Sequence, residues 1–119
     1  MIWTAVYWAS CKGQNYTIDK LVEYKADITI TDNDGWSCVH TAACWGQTST
    51  VRKLASLGLD INFTNDDGYT PLMLASENGD VASVQLLLEL KADTSITNNK
   101  GKTALQSVRN DEVKAVIGK

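Results

Sequence analysis

Residues 68–100 read GYTPLMLASENGDVASVQLLLELKADTSITNNK, and this stretch decides the fold. Thr70-Pro71 sets a capping hydroxyl before a proline suited to the first helical turn, and Leu72, Ala75 and Ser76 then fit one face of a short helix. Gly79 ends that helix. Asp80 offers a second cap, and Val81, Val84, Leu87 and Leu88 recur at three- and four-residue spacing, which predicts a second helix. Ala92 to Lys100, rich in Thr and Asn and closed by a glycine, reads as an extended turn. The unit is therefore helix, helix, hairpin-like loop.

Outward from this block the sequence repeats with a period of 33 residues. Blocks 2–34 and 35–67 share thirteen identities, among them Trp3/Trp36, Val6/Val39, Ala9/Ala42, Gly13/Gly46, Leu21/Leu54 and Asp27/Asp60. Chance would give about two. Blocks 35–67 and 68–100 share nine, including Gly35/Gly68, Ala42/Ala75, Val51/Val84 and Leu54/Leu87. A fourth block, 101–119, lacks about one helical turn between Arg109 and Val113. Asp34-Gly35 and Asp67-Gly68 mark the earlier turns.

These residues resemble the ankyrin repeat: Gly68-Tyr69-Thr70-Pro71-Leu72 is similar to that family's opening motif and Ala92-Asp93 to its closing one. The resemblance covers essentially residues 1–119 as a single domain. It implies an all-α solenoid of about four repeats, helix-turn-helix pairs with projecting β-hairpin loops, whose inner helices and hairpins line a concave surface. Three kinds of departure stand out. Ile2 occupies a family glycine position, Lys25 and Lys91 replace the glycine after the second helix, and Cys38 replaces the motif proline. The shortened ending is of a kind common in terminal repeats that cap a stack.

Composition narrows the function. With 119 residues, 44% hydrophobic, 21% charged and one proline, the chain has the makeup of one ordinary globular domain. A net charge of -3 gives no general attraction for nucleic acid or an anionic membrane, and membrane insertion is not expected. The opening MIWTAVYWAS has no basic leader, is too short to span a bilayer, and is accounted for by the first repeat. Cys11, Cys38 and Cys44 are odd in number and lack paired C-x-x-C spacing, so neither a disulfide framework nor a zinc cage follows. An intracellular location, cytoplasmic or nuclear, fits such cysteines. Cys11 and Cys44 share one repeat position and are expected as free thiols.

No catalytic constellation emerges, and no metal or cofactor is expected. His40, the sole histidine, follows Ser37 by three residues, but the ankyrin resemblance implies a structural role for it, bonded to its own repeat's hydroxyl and neighbouring backbone. Asp27, Asp60 and Asp93 recur once per repeat, as turn residues do. Asn15-Tyr16-Thr17 and Asn62-Phe63-Thr64 match the glycosylation pattern but carry little weight without a signal peptide. Leu54, Asp60, Ile61 and Asn62 resemble the sequence around asparagines hydroxylated in ankyrin hairpins, which makes Asn62 a candidate for that modification. The plainer reading is that Asn62 bonds the hairpin backbone.

Positions that the ankyrin frame leaves free follow from the 33-residue register. They are Trp3, Cys11, Lys12, Asn33, Asp34, Trp36, Cys44, Trp45, Asp66, Asp67, Tyr69, Glu77, Asn78, Asn99, Lys100 and Lys102. Three of the four tryptophans fall here, and large surface aromatics are over-represented among interface hot spots. The expected role is an adaptor or scaffold binding a protein through its concave face, with central Asp34, Asp66, Asp67 and Glu77 favouring a basic and apolar segment. The alternative is a structural stretch of a longer array. Residues 1–11 carry no charge, so the N-terminal repeat lacks a polar cap and self-association through it is a further expectation.

Overall fold

The computed structural model describes residues 2–108 and 110–118, the side chains of Ile2 and Trp3 excepted. Eight helices follow one another among these residues: α1 (Ile2–Lys12), α2 (Asn15–Glu23), α3 (Cys38–Cys44), α4 (Thr48–Ser56), α5 (Pro71–Glu77), α6 (Val81–Glu89), α7 (Ala104–Ser107) and α8 (Asp111–Ile117). The odd-numbered helices stack as an inner layer and the even-numbered ones as an outer layer. The main contacts within each layer join neighbouring repeats, and the molecule is drawn out to 41 × 25 × 20 Å.

Local chemistry starts α5 and α6 where the sequence predicts. The Thr70 hydroxyl accepts from the Met73 N–H with Pro71 at the first helical position, and Asp80 accepts from the Ser83 N–H. Thr103 caps α7 reciprocally with Gln106. The inner helices approach through alanines at one repeat position, Ala9, Ala42 and Ala75, all fully buried. Ile18, Val51, Val84 and Val113 form the matching outer row. Leu54 and Leu87 seal each pair, and a fully buried Leu contributes roughly 1.5–3 kcal/mol relative to exposure.

Between repeats the loops are hairpin-like but form no strands among the described residues, each tip being closed by a tight turn in which Gly35, Gly68 and Gly101 donate their N–H to the carbonyls of Asp32, Asn65 and Asn98. Asp32, Asn65 and Asn98 donate their N–H to the carbonyls of Trp36, Tyr69 and Lys102. Their side-chain oxygens also accept two N–H groups each, from Asp34 and Trp36, Asp67 and Tyr69, and Lys100 and Lys102. Adjacent tips are pinned by Asp66 N–H to the Asp34 carbonyl and Asn99 N–H to the Asp67 carbonyl, both at 3.0 Å. A side chain at Gly68, where φ is 78°, would bring its Cβ within 2.9 Å of the Asn99 nitrogen. Lys25 and Lys91 hold φ of 63° and 70°, a left-handed conformation that costs each of order 1 kcal/mol.

Candidate protein-binding surface

Inner helices and hairpin tips together present one face, and the 33-residue register orders it into rows. On the tips the rows are Asn33/Asp66/Asn99, Asp34/Asp67/Lys100 and Trp36/Tyr69/Lys102; on the helices they are Lys12/Trp45/Asn78 and Cys44/Glu77. Structure gathers Trp36, Asp67, Tyr69, Asn99 and Lys100 around one cleft of about 330 Å³, with Asn65 and Leu74 completing its wall. A neighbouring cavity of about 250 Å³ brings Glu77, Lys100 and Lys102 together with Tyr69. A lining that mixes Trp36, Tyr69 and Leu74 with Asp67 and Lys100 suits a partner side chain that is apolar at its body and charged at its end.

The predicted residues divide by how far the fold already uses them. Trp36 is half-buried, its ring centroid 6.0 Å from that of His40. The Tyr69 hydroxyl donates to Glu77 Oε1 at 2.8 Å, and that bond to a carboxylate pushes the phenol above its ordinary pKa. The Asn78 amide donates to the Cys44 carbonyl at 3.0 Å, and the Asn99 amide to the Asp66 carbonyl at 2.8 Å. Asn33, Asp34, Asp66, Asp67, Lys100 and Lys102 are exposed. Trp45 is 59% exposed at the C-cap of α3. Lys12 sits with its ammonium 5.4 Å from the ring of Trp8, itself 52% exposed. The Trp3 side chain lies outside the described residues.

Cys11 does not belong to the surface. It is buried, because α3 packs on α1 and Gln47 reaches back to donate to the Cys11 carbonyl at 3.0 Å. Cys44 is half-buried, and Cys11, Cys38 and Cys44 are free thiols. Cys38, at the motif's proline position, donates its thiol to the Ile28 carbonyl, and burial pushes its pKa up to about 11, which keeps it un-ionised. Trp8 and Leu74 are the residues that register reasoning missed. They share one row with Thr41, and Trp8 lies one turn before Lys12 on the same helical face, so the signal was present in the spacing.

A family model described as ankyrin repeats (3 copies) matches residues 2–65, and another, described as ankyrin repeats (many copies), matches residues 54–106. The chain belongs to the ankyrin repeat family. Comparison with curated proteins finds no match. Ankyrin repeats are generally protein-protein interaction modules. Among the described residues no helix is long and apolar enough to cross a membrane.

His40 has the role that the ankyrin resemblance implied. The Ser37 N–H can only donate, so Nδ1 accepts from it at 3.2 Å. The Tyr69 carbonyl can only accept, so Nε2 carries the proton and donates across to the next repeat at 2.7 Å. Both nitrogens are thereby spent on the ankyrin frame, and burial lowers the imidazole pKa. Asn62 also bridges repeats, its side-chain oxygen accepting from the Asp93 N–H at 2.8 Å. Its own N–H donates to Asp60. Hydroxylation at Asn62 would therefore have to act on a side chain engaged with the following loop.

Proposed function

We propose that this ankyrin domain is a non-catalytic, intracellular binding module that holds a partner protein against its inner helices and hairpin tips. One observation carries the reading. Trp45 is 59% exposed at the end of an inner helix, where the frame uses its backbone and leaves its ring in water. A large aromatic left in water at the centre of a variable face is what interface anchors look like before their partner arrives. On the hairpin tips, the exposed carboxylates of Asp34, Asp66 and Asp67 favour a partner segment with basic as well as apolar side chains. Trp36 and Tyr69 line the cleft of about 330 Å³ while also packing within the stack, so their contribution to binding is mixed with stability.

The test is affinity of wild type and Trp45→Ala for the protein retained by the immobilised domain, beside each variant's urea midpoint. Trp45→Ala weakens binding by about 2 kcal/mol, roughly thirtyfold, with the midpoint little changed. Equal affinity for both proteins would remove Trp45 and the concave assignment with it. A second reading, a structural stretch of a longer array, draws support from the outward face of the first repeat, which has the chemistry of an interior one.

A further inference from the structure

Among the side-chain bonds that tie the second repeat to the first, three come from donors spaced three residues apart, Gln47, Thr50 and Lys53. Gln47 Nε2 donates to the Cys11 carbonyl at 3.0 Å, Thr50 Oγ1 to Asn15 Oδ1 at 2.6 Å, and Lys53 Nζ to Asp19 Oδ1 at 2.7 Å. Leu54, next to Lys53, is fully buried in the same junction. One repeat earlier the same four residue types stand at the same register positions: Gln14, Thr17, Lys20 and Leu21. This set is not part of the common frame, because the third repeat has Asp80, Ser83 and Leu86 at the first three positions. Thr50 and Leu54 are fully buried, whereas Thr17 and Leu21 are half-buried and Gln14 is exposed.

We propose that the outward face of repeat 1 is a docking surface for another ankyrin-type helix pair, one offering an inner-helix C-terminal carbonyl, an Asn-type acceptor and a carboxylate. The repeat 1–2 junction supplies the template, since it joins this donor set to that acceptor set. Lys20 is meanwhile paired with Glu23 at 3.1 Å and lies 5.5 Å from the Tyr16 ring, an exposed arrangement that a carboxylate from the incoming repeat would replace. A second copy of this chain is the poorer occupant. Its last repeat has Lys114 after buried Val113, where Asp19 follows buried Ile18, so head-to-tail stacking would set Lys114 against Lys20.

The experiment adds a second copy of residues 2–34 in front of the full chain, because that segment presents Cys11, Asn15 and Asp19 as repeat 1 presents them to repeat 2. The extended protein unfolds in urea as one transition, with its midpoint raised by about 0.5 M or more. Asn15→Ala with Asp19→Lys in the added copy removes most of the gain. Thr17→Val and Lys20→Ala in the chain's own repeat 1 leave the unextended protein nearly unchanged and lower the midpoint of the extended one. An added copy that melts separately overturns the proposal, as does a gain indifferent to the acceptor changes or head-to-tail polymer formation by the unextended chain in sedimentation.

Discussion

His40 shows how tightly a single residue can be specified by backbone groups. With Nδ1 accepting from Ser37 and Nε2 donating to the Tyr69 carbonyl, only the neutral imidazole satisfies both partners. Protonation would turn Nδ1 toward the Ser37 N–H as a second donor, in a site that is fully buried. The native pKa lies below the ordinary 6.5, burial being the main cause, with the Tyr69 carbonyl and Asp32 opposing it. The folded state therefore binds fewer protons than the unfolded chain as pH falls through this range. The stability held by His40 is fully present above about pH 6.5 and is lost as pH drops toward the lowered native value. Urea midpoints measured from about pH 8 to 5 should be level at first and then fall, and His40→Met should flatten that step. Methionine is a fair replacement because Met73 fills the same position in the next repeat, fully buried. Part of this was legible beforehand: the family resemblance gave the histidine its structural role. Burial of Cys11 was not legible, because the register puts it in a row with half-buried Cys44 and exposed Glu77 and says nothing of Gln47 folding back over the helix end.

At the scale of elements, helix starts were the most readable feature and hairpin tips the least. Thr70-Pro71 and Asp80 are local signals, satisfied by atoms within three residues, so the sequence alone contains the whole cause. The tips are held instead by Asp32, Asn65 and Asn98, whose row is visible in the register but is overshadowed by the more familiar Asp-Gly pairs beside it. Asn65 is buried and accepts from both Asp67 and Tyr69 N–H groups, at 3.0 and 2.9 Å. Asn65→Ala leaves those donors without their acceptor and should cost about 1–3 kcal/mol in denaturant unfolding. Asn33→Ala, at an exposed position on the preceding tip, should stay within about 0.5 kcal/mol of wild type. Equal losses at the two positions would mean that the tip geometry does not depend on the side-chain acceptor at Asn65.

Across the whole molecule, the fold was readable because a nearest-neighbour stack writes each contact once per period, and thirteen identities between two blocks leave few alternatives. The binding face was readable only in outline. Positions outside the packing have no period to obey, so the register locates them without saying which are spent on internal bonds, as Asn78 and Asn99 are. What survives at long range is charge. Residues 1–99 carry six Lys or Arg against twelve Asp or Glu, while 100–119 carry five against two, so the acidic field lies over the first three repeats. Asp66 and Asp67 are exposed on the tip at the cleft, where their effect on a basic partner acts before contact. Reversing both to lysine should slow association several-fold at low salt and leave dissociation nearly unchanged. At about 1 M salt, where the screening length falls to about 3 Å, wild type and variant should associate at similar rates. If the two carboxylates instead make direct contacts, the loss appears in dissociation and persists at high salt. Stopped-flow association at several salt concentrations separates these outcomes, and an acceleration by the lysine variant would mean that the partner presents an acidic segment, aligned with Lys100 and Lys102.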